Sequence, residues 1–237
     1  MSTDLNVKCE RFWSELPTGA GEAVWDSDPS TNAAVHLPWF QPHFASDLPL
    51  LDVGCGNGTQ TVFLAEHYSR VLGLEVSESA VQSAKQTYPG VEFRQYDLLD
   101  EEATKALHSE LGDCNIYVRA VLHPLPDESR AIAVANLARL LGKRGGLFVI
   151  ELAKAAKDVF GAALAAGPDS VPKLRRVLSY GITPANLEDG MLEQLFENAG
   201  IEVVDHGSSL LLSTDRLADG EQLKAPLNYV VGRLKHS

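Results

Sequence analysis

The stretch Pro49-Leu50-Leu51-Asp52-Val53-Gly54-Cys55-Gly56-Asn57-Gly58-Thr59 decides the fold of this chain. A short apolar run ends in a cluster of glycines, and Thr59 to Tyr68 then carries helical periodicity, so the local order is strand, loop, helix. A glycine-rich turn in that position lets the backbone come close to a ligand and aims free helix amides at it. The spacing is G-x-G-x-G. The dinucleotide fingerprint G-x-G-x-x-G would need a glycine where Thr59 stands, so that pattern is not met.

Working outward, the same alternation repeats. Val71-Leu72-Gly73-Leu74-Glu75-Val76 reads as a second strand, followed by a cap region at Ser77 and Ser79 and a helix that stops at Pro89-Gly90. Residues 91–96 alternate as a third strand ending at Asp97, and Asn115 to Val121 is a fourth. Asp127 is placed to cap a helix that puts Val134, Leu137, Ala138 and Leu141 on one face. Gly145-Gly146 ends that unit, and residues 147–152 form a buried fifth strand. A later helix from Leu187 places Leu192, Leu195, Phe196 and Ala199 together, and strands near Ile201 to Asp205 and Leu227 to Leu234 complete the pattern. Strands alternating with helices predict an α/β fold, a mostly parallel sheet covered on both faces, with ligands at the carboxyl ends of its strands.

Two segments stand outside the alternation. Residues 1–48 carry Trp13, Trp25, Trp39, Phe40 and Phe44 among prolines, and residues 153–186 carry an alanine-rich stretch followed by Pro168, Pro172 and Pro184. The expected organisation is therefore an N-terminal cap over 1–48 and an α/β domain over 49–237 with a lid insertion at 153–186. Either segment closes over a ligand or elaborates the surface with packed aromatics. Trp25, His36 and Trp39 are the residues of the first segment that could face a substrate.

The chain has 237 residues, with 32 acidic against 20 basic side chains and a net charge of −12. That balance argues against nucleic acid as a partner, because phosphate binding relies on clustered Lys and Arg, and favours a small molecule. No stretch approaches the ~18 apolar residues that would cross a bilayer, and residues 1–13 lack the apolar run of a signal peptide, so no membrane partner and a cytoplasmic location are expected. Cys9, Cys55 and Cys114 are scattered without C-x-x-C spacing, which fits ordinary buried thiols in a reducing compartment and no metal site. The oligomeric state is not legible.

Residues 51–58 resemble motif I of the class I S-adenosylmethionine-dependent methyltransferases. Glu75 and Asp97 at the ends of the second and third strands, Arg119 to His123 leaving the fourth, and Leu140 to Glu151 around the fifth are similar to that family as well. The resemblance covers residues 49–152 and, more loosely, 187–234. It implies a Rossmann-like, seven-stranded, doubly wound sheet with an antiparallel last strand, and S-adenosylmethionine as cofactor with S-adenosylhomocysteine as product. The cofactor residues it implies are Asp52, Gly54, Cys55, Gly56, Asn57, Gly58, Glu75, Val76, Asp97, Leu98 and Arg119. Among them Glu75 would accept from the two ribose hydroxyls, Asp97 from the adenine amino group beside the Leu98 amide, and Asp52 would orient the loop and meet the methionine ammonium.

His123 is the candidate catalytic residue. An imidazole accepts a proton near neutral pH, and the segment Val121-Leu122-His123-Pro124 resembles that of plant-type small-molecule O-methyltransferases, whose histidine is the general base. Those enzymes continue with Asp-Trp where Pro124-Leu125 stand here. The alternative role is structural, packing or bonding the loop. His36, His43, His67, His108 and His206 are weaker candidates. The Asn/Asp-Pro-Pro-Tyr/Phe motif of DNA and protein-glutamine N-methyltransferases is absent. The expected activity is methyl transfer to a hydroxyl of a small molecule. The alternatives are transfer to sulfur, nitrogen or carbon, and, in other classes, a nucleotide-binding oxidoreductase or a non-catalytic cofactor-binding module.

Overall fold

A computed structural model describes residues 4–17, 19–183 and 188–235. The elements in order are α1 (Asp4–Glu15), α2 (Ala33–Phe40), β1 (Leu50–Val53), α3 (Thr59–Leu64), β2 (Val71–Glu75), α4 (Glu78–Thr87), β3 (Glu92–Gln95), α5 (Glu101–Leu111), β4 (Asn115–Arg119), α6 (Asp127–Leu141), β5 (Gly146–Leu152), α7 (Ala156–Ala165), α8 (Pro172–Ser179), α9 (Met191–Asn198), β6 (Ile201–Arg216) and β7 (Gln222–Leu234). They build one seven-stranded sheet in the order β3-β2-β1-β4-β5-β7-β6. β1 to β5 pair in parallel, and β7 runs antiparallel between β5 and β6. This is the expected doubly wound sheet, with the last strand reversed.

The central strands are apolar on both faces because helices cover both. Every residue of β1 and β2 is buried. The order reverses beside β1, where β2 lies to one side and β4 to the other, so the glycine loop after β1 opens into the crevice where such sheets bind ligands. Local chemistry sets the helix starts. Ser77 Oγ accepts from the Ala80 amide at 3.2 Å and Asp100 Oδ1 from the Ala103 amide at 2.9 Å, both ordinary N-caps. Asp127, expected as a cap, is instead the first helical residue of α6 after Pro126; its carboxylate pairs with Arg130 at 2.7 Å.

The final hairpin is longer than expected. The polar stretch Asp205-His206-Gly207-Ser208-Ser209 breaks the apolar alternation in sequence, yet it pairs with β7 throughout, with a register shift between Val203 and Asp205. The extension runs past the end of β5, still paired with β7, and clasps the segment before α2, where Thr214 donates its amide to Val24 O at 3.0 Å and its hydroxyl to Ala23 O at 2.8 Å. It also caps α8. The residue preceding that helix, Val171, is left-handed and offers no side-chain oxygen, so buried Asp215 accepts from the Lys173 and Leu174 amides at 3.1 and 2.8 Å. The expected helix start at Leu187, and Pro184 of the expected insertion, lie outside the described residues. α9 is formed over Met191–Asn198 and buries Leu192 and Phe196.

α2 lays an aromatic layer on the sheet. His36 is buried, with Nδ1 2.9 Å from Tyr117 Oη, and Trp39 stacks on Tyr229 with ring centres 4.6 Å apart. The expectation that these two residues face a substrate is corrected here. They pack against Tyr117, Phe148 and Tyr229 of β4, β5 and β7, because a helix laid flat on a sheet turns its apolar side inward. Burial pushes the His36 imidazole down from 6.5 to about 3, with the nearby Arg119 charge acting in the same direction.

Two outcomes follow for stability. Asp215→Ala removes the cap of α8 and is expected to cost roughly 1–2 kcal/mol in urea unfolding. His36→Leu strands the buried Tyr117 hydroxyl at a cost of roughly 1–3 kcal/mol near neutral pH. The unfolded chain's imidazole takes up its proton near 6.5 and the folded one only near 3, so acid weakens the wild type through this residue. The deficit of His36→Leu should therefore narrow as the pH falls from about 7 towards 4; a deficit that widens contradicts the assignment.

Candidate active site

The loop after β1 is shaped by buried carboxylates. Gly54 has φ +78°, and a side chain there would drive a Cβ to 2.2 Å from Val121 Cγ2. Gly58 is also left-handed, and a Cβ there would lie 2.6 Å from the Phe93 ring. The Gly56 amide donates to Glu75 Oε2 at 3.1 Å, while Glu75 Oε1 accepts from Ser77 N at 3.0 Å. Each oxygen keeps a second lone pair for another donor. Burial raises the Glu75 carboxyl above its usual range, and the amides of Ser77, Gly56 and Val76 oppose the rise. Asp52 stands under the loop, where its carboxylate accepts from Thr61 Oγ1 at 2.6 Å and burial pushes it up to about 6.

Gly54, Cys55, Gly56, Asn57, Glu75, Val76, Asp97, Leu98, Arg119 and His123 all line one cavity at the carboxyl ends of the strands. Asp52 and Gly58 do not; they hold the loop from behind. The N-terminal segment closes the cavity. Asn6 of α1 donates to Asp97 Oδ2 at 2.7 Å, and Glu10 accepts from Ser77 Oγ at 2.7 Å, which docks α1 across the ends of β2 and β3. Phe12, Trp13 and Trp25 form a cluster on its wall, with Phe12 and Trp25 ring centres 5.4 Å apart. Trp25, of the three expected substrate-facing residues, is thus the one at the cavity.

Charge is sparse and placed. Asp26 Oδ2 accepts from Asn57 Nδ2 and from the Gly21 amide, both at 2.7 Å. Arg119 donates Nη2 to Trp25 O at 3.1 Å, while its buried Nη1 has no hydrogen-bond partner. A buried guanidinium nitrogen without an acceptor is a costly state that an anionic ligand group would relieve.

At the end of β4 the chain turns through Ala120, whose φ is +60°. This uncommon conformation for a residue with a Cβ aims three successive amides at one carboxylate. Glu151, buried at the end of β5, accepts from Val121 and Leu122 at 2.9 and 2.7 Å through Oε1 and from His123 N at 3.2 Å through Oε2. The same Oε2 lies 2.7 Å from His123 Nδ1. A carboxylate only accepts, so Nδ1 carries the proton and Nε2 is left as the basic ring nitrogen. Arg130, fully buried, donates Nε to Leu122 O at 3.2 Å and fixes the same turn from below.

Asn6 and Asp26, which line the cavity, and Glu151, which holds His123 from behind it, are residues that the sequence reading did not single out. Glu151 had a signal, a lone acid closing an apolar strand that must find partners if buried. Asn6 and Asp26 had none, because both reach the site across long chain separations. The thiols are free, with Cys55 and Cys114 buried and Cys9 half-buried. Among the described residues, no group of three or more His, Cys, Asp or Glu side chains is arranged to hold a metal ion, and no helix is long and apolar enough to cross a membrane.

Comparison with known proteins agrees with this geometry. Residues 50–146 match a family described as a methyltransferase domain. A crystal structure of a SAM-dependent methyltransferase from Anabaena variabilis is 32% identical, with 99% of this chain and 96% of that chain covered and a TM-score of 0.89. A trans-aconitate 2-methyltransferase from Methylobacterium nodulans is 33% identical over 136 residues, 54% of this chain and 49% of its own length. A thiopurine S-methyltransferase from Pseudomonas fluorescens is 33% identical over 144 residues, 55% of this chain and 65% of its own length. The chain thus spans less than two thirds of each of these curated relatives. The near-complete match to the Anabaena protein, together with the glycine loop and its acidic strand ends, carries the conclusion that this chain belongs to the S-adenosylmethionine-dependent methyltransferases.

Proposed function

We propose that the protein transfers a methyl group from S-adenosylmethionine to a hydroxyl oxygen of a small molecule, with His123 as general base. The observation that carries this reading is His123, set in the wall of the same cavity as Glu75 and the glycine loop and held from behind by Glu151. The substrates in the names of the partial relatives, trans-aconitate and thiopurine, are small molecules as well.

The residues fit the cofactor. Glu75 has lone pairs for a vicinal diol, and Asp97 beside Leu98 suits the adenine edge. Asp26 and the unpartnered Arg119 Nη1 suit the two charged ends of an amino acid. Gly54, Cys55, Gly56, Asn57 and Val76 supply the wall, while Asp52 and Gly58 set the loop's shape. When bound, the cofactor supplies a methyl group on a positively charged sulfur that departs with the carbon–sulfur bonding pair. The protein's own work is alignment and removal of the acceptor proton to His123 Nε2. Glu151 holds the ring in the needed tautomer and stabilises the imidazolium that forms. Of the two segments outside the alternation, Leu5 to Asp26 would cover the cofactor and Phe160 to Thr183 the acceptor, while α2 packs on the sheet.

Glu75→Ala should weaken S-adenosylhomocysteine binding about tenfold to a hundredfold in calorimetry; unchanged affinity refutes the ribose role. His123→Ala should lower turnover roughly 10²- to 10⁴-fold on any acceptor the wild type methylates, with cofactor affinity held. Full turnover in that variant would falsify the base assignment.

A further inference from the structure

We infer that the acceptor is a neutral, predominantly hydrocarbon compound with a single reacting hydroxyl, and not a polycarboxylate. This rests on the methyltransferase reading above. The part of the cavity beyond the glycine loop is built from the end of β5, α7, α8 and the hairpin extension, through Leu152, Phe160, Leu174, Val177, Leu178 and Leu211. In α8 the apolar residues Leu174, Val177 and Leu178 recur at the helical interval and turn to the cavity.

The basic residues of that helix are held elsewhere. Lys173 Nζ donates to Gly21 O, Arg175 Nε to Ser170 O at 2.9 Å, and Arg176 lies 3.6 Å from Glu22. Lys154, just past β5, pairs with Glu188 at 2.6 Å. Among the described lining residues Arg119 is the one Lys or Arg, against the carboxylates of Asp26, Glu75 and Asp97. Arg119 sits on the cofactor side, tied to Trp25 O.

A substrate with several carboxylates would enter this apolar space without a Lys or Arg to meet it there, losing its hydration uncompensated. An apolar ring or chain would instead displace water from apolar walls, and its hydroxyl would meet His123; the other lining residues after β5 are apolar apart from Thr183, which carries no charge. The discrimination against trans-aconitate, named for several partial relatives, follows from charge and not from shape.

The test is calorimetric titration of the full chain, saturated with S-adenosylhomocysteine, with 1-naphthol and with trans-aconitate. The expected result is a Kd for 1-naphthol at least about tenfold below that for trans-aconitate. Leu178→Lys should narrow that ratio by about tenfold or more, with S-adenosylhomocysteine binding unchanged; Leu178→Gln serves if the lysine variant does not fold, and should weaken 1-naphthol alone. A ratio below about ten, binding of neither compound, or a 1-naphthol affinity indifferent to Leu178 overturns the acceptor class while the cofactor titration stands. Failure of S-adenosylhomocysteine itself to bind overturns the underlying methyltransferase reading.

Discussion

Glu75 and Glu151 are carboxylates that the sheet carries into a dry interior, and the loops around the cavity take the shapes that satisfy them. A buried carboxylate is stable only when donors surround it. Glu75 draws the Gly56 and Ser77 amides to the end of β2, and Glu151 draws three consecutive amides and an imidazole to the end of β5. Without the first the glycine loop would have no fixed distance from β2; without the second the turn after β4 would have no reason to hold Ala120 at positive φ. Position and charge of the reacting groups thus come from one constraint, applied twice.

The N-terminal segment completes the site by the same means. α1 is held at one end by Asn6 on Asp97 and in its middle by Glu10 on the start of α4, so polar contacts fix where its aromatic face sits. That face then meets Trp25 and Tyr180, and the cavity is roofed by rings and not by backbone. On the opposite side the hairpin extension caps α8 through Asp215, and the apolar stripe of that helix lines the cavity. The two parts of the cavity therefore differ in kind: charge and hydrogen bonds surround the glycine loop, and apolar side chains line the part near α8.

Much of the central fold was legible because period and punctuation agree there. The glycine loop, the acids at the ends of β2 and β3 and the helical stripe of α6 each follow from short-range chemistry, and each stands where the pattern puts it. The hairpin was underestimated, since the strand expected near Ile201 to Asp205 runs on to Arg216, where cross-strand pairing supplied the hydrogen bonds that local propensity did not. His36 and Trp39 were misread for a related reason. Proximity in sequence to Trp25 suggested a shared site, yet α2 lies against the sheet, whereas the turn holding Trp25 bends back to Arg119.

By itself the sequence determined the strand–loop–helix unit that starts at residue 50, the alternation of strands and helices, and the acidic residues Glu75 and Asp97 at the ends of two strands, because these depend on spacings of a few residues along one chain direction; the doubly wound order came from the resemblance of residues 51–58 to a known motif. Only the tertiary structure decided that Glu151 fixes the ring of His123, that Asp26 and Arg119 share the cavity, and that the basic residues of α8 are turned away from it. Those pairings join residues far apart in the chain, and whether a side chain meets a partner, water or a cavity is settled by the elements packed around it.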